Sequence, residues 1–95
     1  MIFNCQFPKC NYSTEHRSLI EYHHIVPQSK NGKDNSFNRV WLCPNHHKLI
    51  FIPNETNGIH SQKYTNSIII HGWVSSTTGK LLEWSRINEK GRNYG

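Results

Sequence analysis

Cys5 and Cys10 flank a short turn that contains Pro8, and Cys43 and His46 stand with two residues between them much later in the chain. A zinc ion takes four nitrogen or sulfur ligands in a tetrahedron, and two such short-range pairs are the usual way of supplying them. One ion holding both pairs forces the first knuckle to meet the segment at Cys43, and closes everything between into a loop. The constraint matters because the chain has only 95 residues, 35% of them hydrophobic. A domain of this size buries a modest fraction of its surface and often depends on a metal or a disulfide. Three cysteines argue against a disulfide framework and suit thiolate–metal chemistry in a reducing compartment. The competing assignment, three buried thiols and a surface histidine, leaves the chain without a staple. Three thiolates and one neutral imidazole outweigh the charge of Zn²⁺, so Cys5, Cys10, Cys43 and His46 are expected to form a structural cage and not a phosphate site.

The histidines concentrate around the same loop. Four of the seven form two adjacent pairs, His23-His24 and His46-His47, with Asn38 between the pairs. Either member of the second pair can serve the zinc, because consecutive helical residues point about 100° apart. The Cys-x2 spacing selects His46, which frees His47 for a different site. An unmetallated imidazole near neutral pKa can take a proton from water. Neighbouring strand residues project to opposite faces, so His23 and His24 serve one site only where the strand becomes irregular, and Pro27 supplies that interruption.

The coarse order of elements is strand, loop, strand and short helix, followed by a hairpin, an α+β arrangement. Glu21–Val26 has aromatic and β-branched content and is stopped by Pro27. Residues 28–36 are turn formers throughout, and Phe37–Leu42 is the second strand. Cys43-Pro44 reads as a helix entry, with the helix running through His47, Lys48 and Ile50 and ending before Pro53. Residues 54–66 are polar and irregular. Two further strands, Ile68–Val74 and Lys80–Trp84, flank Ser75–Gly79. With Thr77-Thr78 at the turn centre, His71 and Trp73 are expected to share a face with Leu82 and Trp84 as hairpin packing. The polar, basic tail from Ile87 to Gly95 is expected to be loosely ordered. A single domain thus divides into a core, residues 1–53, and a hairpin extension with a basic tail, residues 54–95.

A net charge of +5 favours a polyanionic partner, although ordinary solubility accounts for the same charge. The sequence has no apolar run long enough for a membrane and no signal-peptide pattern, so a cytoplasmic protein is expected.

His23-His24-Ile25-Val26-Pro27, Asn38-Arg39-Val40-Trp41-Leu42-Cys43 and His46-His47 together resemble the HNH endonucleases, of the ββα-metal or His-Me finger class. The resemblance covers residues 5–51, and the second half of the chain more weakly resembles small HNH proteins of phages and bacteria. It implies a zinc-stapled ββα-metal domain with a C-terminal β-hairpin that hydrolyses DNA phosphodiester bonds, in a bacterial or phage-infected cell. Carried across, it makes His24 the general base, His23 and His47 ligands of one divalent cation, and Asn38 the middle motif residue. In the family that Asn either contacts the metal or holds the loop bearing the base, and loop orientation is favoured here. Two departures stand out. Many members carry Asp at the His23 position, and the nitrogen-rich site here suits Mn²⁺, Co²⁺ or Ni²⁺ as well as Mg²⁺. Some relatives have a further His four residues after His47, where this chain has Phe51, expected to pack in the core on the helix. Lys30, Lys33, Arg39 and Lys48 are the candidate DNA-backbone contacts. One such site cuts one strand, so a double-strand break requires a homodimer or two events. The competing function is a catalytically inactive zinc-stapled DNA-binding module; a structural zinc domain that binds protein is a third.

Overall fold

In the computed structural model, which describes all 95 residues, Phe3–Asn4 (β1) and Ser13–Thr14 (β2) pair antiparallel and frame the turn from Cys5 to Cys10. The turn is anchored by Cys5 N–H donating to the Tyr12 carbonyl and Cys10 N–H donating to Phe7. Gln6 extends the contact to the next sheet: its N–H donates to the Trp41 carbonyl at 2.7 Å, and its side-chain oxygen accepts from Trp41 N–H at 2.8 Å.

Glu21–His24 (β3) and Arg39–Leu42 (β4) form an antiparallel pair in which His23 opposes Val40 and His24 opposes Arg39. The period-two pattern explains the choice of face. Val40 and Leu42 are fully buried, whereas Arg39 and Trp41 are half-buried. His23 shares the buried side, and Tyr22 and His24 share the other with Arg39 and Trp41. Both strands are shorter than the sequence predicts, 21–26 and 37–42. The outer residues leave the ladder because the side chain of Asn38 takes over the backbone groups of Val26.

Pro44–Leu49 (α1) starts where the sequence places it. Cys43 caps it through Sγ, which accepts from His46 N–H, and Pro44 sits in the first turn, where its missing N–H costs nothing. The helix ends earlier than expected. Ile50 is already extended, buried, and bridged in parallel to Ile68, while Phe51 N–H donates to the Ile68 carbonyl. Phe51 therefore lies beyond the helix and half-buried, with the Lys63 ammonium 5.1 Å from its ring, and not packed on α1 in the core.

Ile68–Ser76 (β5) and Gly79–Arg86 (β6) make the hairpin, with Thr77-Thr78 between the paired Ser76 and Gly79. Its facing pattern departs from expectation. A bulge between Ile70 and Gly72 leaves His71 without a partner, and Gly72 takes φ +152° there. The extra residue rotates His71 off the face shared by Trp73, Leu82 and Trp84, and it contacts the Ser85 hydroxyl at 2.8 Å instead. The tail also differs from expectation. Asn93–Tyr94 (β7) pairs with β6 at Trp84 and Glu83, and Gly95 exchanges two backbone hydrogen bonds with Leu82. An open edge of β6 supplied the partner that the tail's composition did not announce.

The core lies between the β3–β4 pair, α1 and the hairpin, around Val40, Leu42, Ile50, Ile68 and Leu82. Phe7 joins the knuckle to it, with its ring 4.7 Å from Trp84, and Trp73 Nε1 donates to the Arg39 carbonyl at 2.9 Å. Only 13 residues of 95 are buried, so each buried methyl group counts. Leu82→Ala is expected to cost about 2–5 kcal/mol, read as a lower urea midpoint. No helix is long and apolar enough to cross a membrane.

Candidate functional site

The four residues of the expected cage converge. One ligand atom from each of Cys5, Cys10, Cys43 and His46 lies within 4.8 Å of the others. His46 Nδ1 stands 3.2 Å from Cys43 Sγ and 3.6 Å from Cys5 Sγ. Ligands sharing a tetrahedral zinc, with bonds of about 2.0–2.3 Å, stand about 3.5–3.8 Å apart. The donor set fits the ion. No disulfide forms among these cysteines, and burial pushes the Cys5 thiol up to about 12. Phe7 stacks on the His46 ring at 4.5 Å and orients it.

A second group of nitrogens meets on the buried side of β3. His23, His47 and His60 each bring one ring nitrogen within 4.8 Å of the other two. The ring centroids are 4.8–5.3 Å apart, and every pair is steeply inclined. Desolvation, with the neighbouring imidazoles, pushes His23 down to about 3 and also lowers His47. Three imidazoles that bring a ring nitrogen each to one point without hydrogen-bonding one another form an arrangement suited to a shared cation. Two of the three rings turn Nδ1 away from the group. His60 Nδ1 donates to the Ile50 carbonyl at 3.1 Å, and His47 Nδ1 lies 3.9 Å from Glu21 Oε1. Both contacts leave Nε2 for the centre of the group.

His60 carries no signal in the sequence because it sits in a polar stretch without a recognisable spacing. The one hint is Phe51, at a position where some relatives carry another His. The structure brings an imidazole from a more distant turn: Ile59–Ser61 forms a short 3-10 helix, and Ile52 N–H donates to the His60 carbonyl.

His24 lies beside this group. His23, His24 and His60 line one cleft of about 260 Å³, together with Pro27, Gln28 and Glu55. His24 and His23 point to opposite sides of β3, and they reach a common cleft because the strand ends at His24. Asn38 does not enter the imidazole group. Its Oδ1 accepts from Val26 N–H at 2.8 Å, and its Nδ2 donates to the carbonyls of Val26 at 3.1 Å and Lys33 at 2.6 Å. It therefore clasps the turn after His24 and the loop before β4.

The basic candidates separate. Lys30 is exposed and lies 3.8 Å from Glu55, a residue that lines the cleft. Lys33 is exposed on the loop, while Arg39 donates to the Tyr22 hydroxyl at 3.1 Å and lies 3.7 Å from Asp34. Lys48 points elsewhere, into a depression with Asn45, Leu49, Tyr64 and Asn66. Lys80, beside the loop, donates to the Ser36 carbonyl and lies 4.4 Å from the Trp73 ring.

The family model for HNH endonuclease matches residues 5–50. No curated protein and no solved structure matches the chain.

Proposed function

We propose, on the premise that residues 5–50 belong to the HNH endonuclease family, that the whole chain is one ββα-metal nuclease domain that hydrolyses DNA. HNH nucleases act on DNA and use divalent metals. The observation that carries the proposal is the convergence of the His23, His47 and His60 imidazoles next to a cleft that a fourth, His24, lines together with His23 and His60. His23, His47 and His60 are the residues to hold the catalytic cation. When bound, that cation supplies electrostatic stabilisation of the charge that grows on the phosphate and leaving oxygen.

The chain's own residues supply the rest. His24 takes the proton of the attacking water, and Asn38 fixes the turn that aims it. Lys30 and Lys33, on the loop beside the cleft, grip the DNA backbone, with Arg39 at the strand end. Cys5, Cys10, Cys43 and His46 hold a structural zinc that binds the knuckle to the start of α1. Phe51 favours the inactive DNA-binding alternative by removing a ligand, and His60 answers that objection.

Supercoiled plasmid incubated with Mg²⁺ or Mn²⁺ is expected to be nicked or linearised, leaving 5′-phosphate and 3′-hydroxyl ends, and EDTA is expected to stop the reaction. Gel-shift binding without cleavage across Mg²⁺, Mn²⁺, Co²⁺ and Ni²⁺ would reject the proposal in favour of a DNA-binding module. His60→Ala is expected to weaken Mn²⁺ binding to the zinc-loaded protein by more than about tenfold, because even the partners behind metal ligands are worth about 10–100-fold in affinity. Calorimetric titration reads this directly, and an unchanged isotherm removes His60 from the site.

A further inference from the structure

One buried polar atom of a residue that lines the cleft has no hydrogen-bond partner: His24 Nε2 is shielded from solvent and unpaired. Shielded imidazole nitrogens are rarely left this way, since an unpaired polar group loses its hydration without compensation. The acidic oxygen facing it is Asp34 Oδ1, 3.5 Å away, within ion-pair reach and slightly long for a hydrogen bond. Two contacts hold that oxygen in place. The Tyr22 hydroxyl donates to it at 2.5 Å, and Arg39 Nη1 lies 3.7 Å from it while donating to the same Tyr22 hydroxyl. The Tyr22 ring also stands edge-on to the His24 ring, with centroids 4.9 Å apart, which limits the turning of the imidazole. Asn38 anchors the loop one residue earlier, through the Lys33 carbonyl.

We propose that Asp34 is the positioning residue for His24: its carboxylate keeps the imidazole proton on Nε2 and leaves Nδ1 as the nitrogen that receives a proton in the cleft. A neutral imidazole has one N–H and one lone pair, and which nitrogen holds the lone pair is set by the bond the other makes. The Asp34 carboxylate is ionised in this setting, since the Tyr22 hydrogen bond, with His24 and Arg39, holds it below the usual carboxylate range. A small approach of the loop turns 3.5 Å into a hydrogen bond. Asn38 thereby acts on both sides of the base. By holding Lys33 it places Asp34 behind the imidazole, and by holding Val26 it places the turn in front. The tautomer half of the proposal stands on the geometry alone, and its catalytic half rests on the nuclease function.

The test has two arms on the zinc-loaded full chain in Mg²⁺. Long-range ¹H–¹⁵N spectra of the histidine rings, assigned with His24→Gln, are expected to show a single Nε2–H tautomer for His24. Asp34→Ala is expected to give a mixture of tautomers, and Asp34→Glu to restore the single one. An unchanged spectrum in Asp34→Ala, or an Nδ1–H tautomer in the unmodified protein, overturns the proposal. In the second arm, Asp34→Ala is expected to lower kcat for plasmid cleavage by at least about tenfold with KM little changed, a part of what general-base catalysis contributes. A rise in KM alone would make Asp34 a DNA contact and overturn its positioning role. If the unmodified protein cuts no DNA, the nuclease function fails, and the spectra still decide the pairing of Asp34 with His24.

Discussion

His24→Ala is expected to lower DNA cleavage by about 10²–10⁴-fold, the usual contribution of a positioned general base, while leaving the fold and cation binding intact. The second half of that expectation comes from where the side chain sits. His24 is the last residue of β3, on the side away from the core, with its side chain about one-fifth exposed at 21%. Truncating it removes a contact with Tyr22 and opens no cavity among Val40, Leu42 and Ile68. The three imidazoles of His23, His47 and His60 remain, so Mn²⁺ titration of the variant should match the unmodified protein. His23→Ala makes the contrast. His23 is buried at 4% and belongs to the imidazole group, so its loss should remove cleavage, cation affinity and some stability together. Plasmid relaxation, calorimetry and a thermal melt on the two variants separate a base from a ligand. A folded His24→Ala protein that cuts at the original rate would refute the assignment.

The contrast between these adjacent histidines also marks what the sequence could say. Short-range spacing was informative wherever the chemistry demanded it. Cys5 with Cys10 and Cys43 with His46 converge as the tetrahedral rule requires, and the Pro44 entry to α1 follows from the missing N–H of proline. Alternating burial made β4 legible through Val40 and Leu42. The rest depended on contacts that leave no local trace. His60 reaches His23 and His47 from a polar turn, and nothing in residues 54–66 marks it as different from a solvent-exposed histidine. Asp34 lies in a loop of turn formers, where an aspartate is the ordinary choice, and only the folded loop brings it to His24. The bulge at His71 and the docking of Asn93–Tyr94 depend on packing and on a free strand edge, which alternation rules do not encode.

Loss of the zinc proposed for Cys5, Cys10, Cys43 and His46 is expected to have the largest effect on the molecule as a whole. Structural zinc in small domains contributes about 10–16 kcal/mol of apparent binding free energy, as much as the entire stability of a typical domain, about 5–15 kcal/mol. Without such an ion the fold has little to fall back on, since most of the 13 buried residues cluster around the knuckle and the strands it joins. Cys43→Ser should therefore abolish the cooperative thermal transition, because Cys43 both contributes to the cage and caps α1 through its sulfur. Serine retains some capping ability, so a variant that lost only the cap would melt slightly earlier and still bind one zinc per chain. One that lost the cage would bind no zinc and show no transition. Retention of the unmodified melt with zinc absent would refute the staple. The same loss should silence the cleft without touching it chemically. His46 and His47 are neighbours on one short helix, one facing the sulfurs and the other facing His23 and His60. Once the cage opens, α1 loses its anchor at the Cys43 end, and the nitrogen of His47 is expected to leave the group proposed to hold the second cation. Added Mn²⁺ should then fail to restore cleavage at any concentration, whereas readdition of Zn²⁺ before Mn²⁺ to chelated, unmodified protein should restore it.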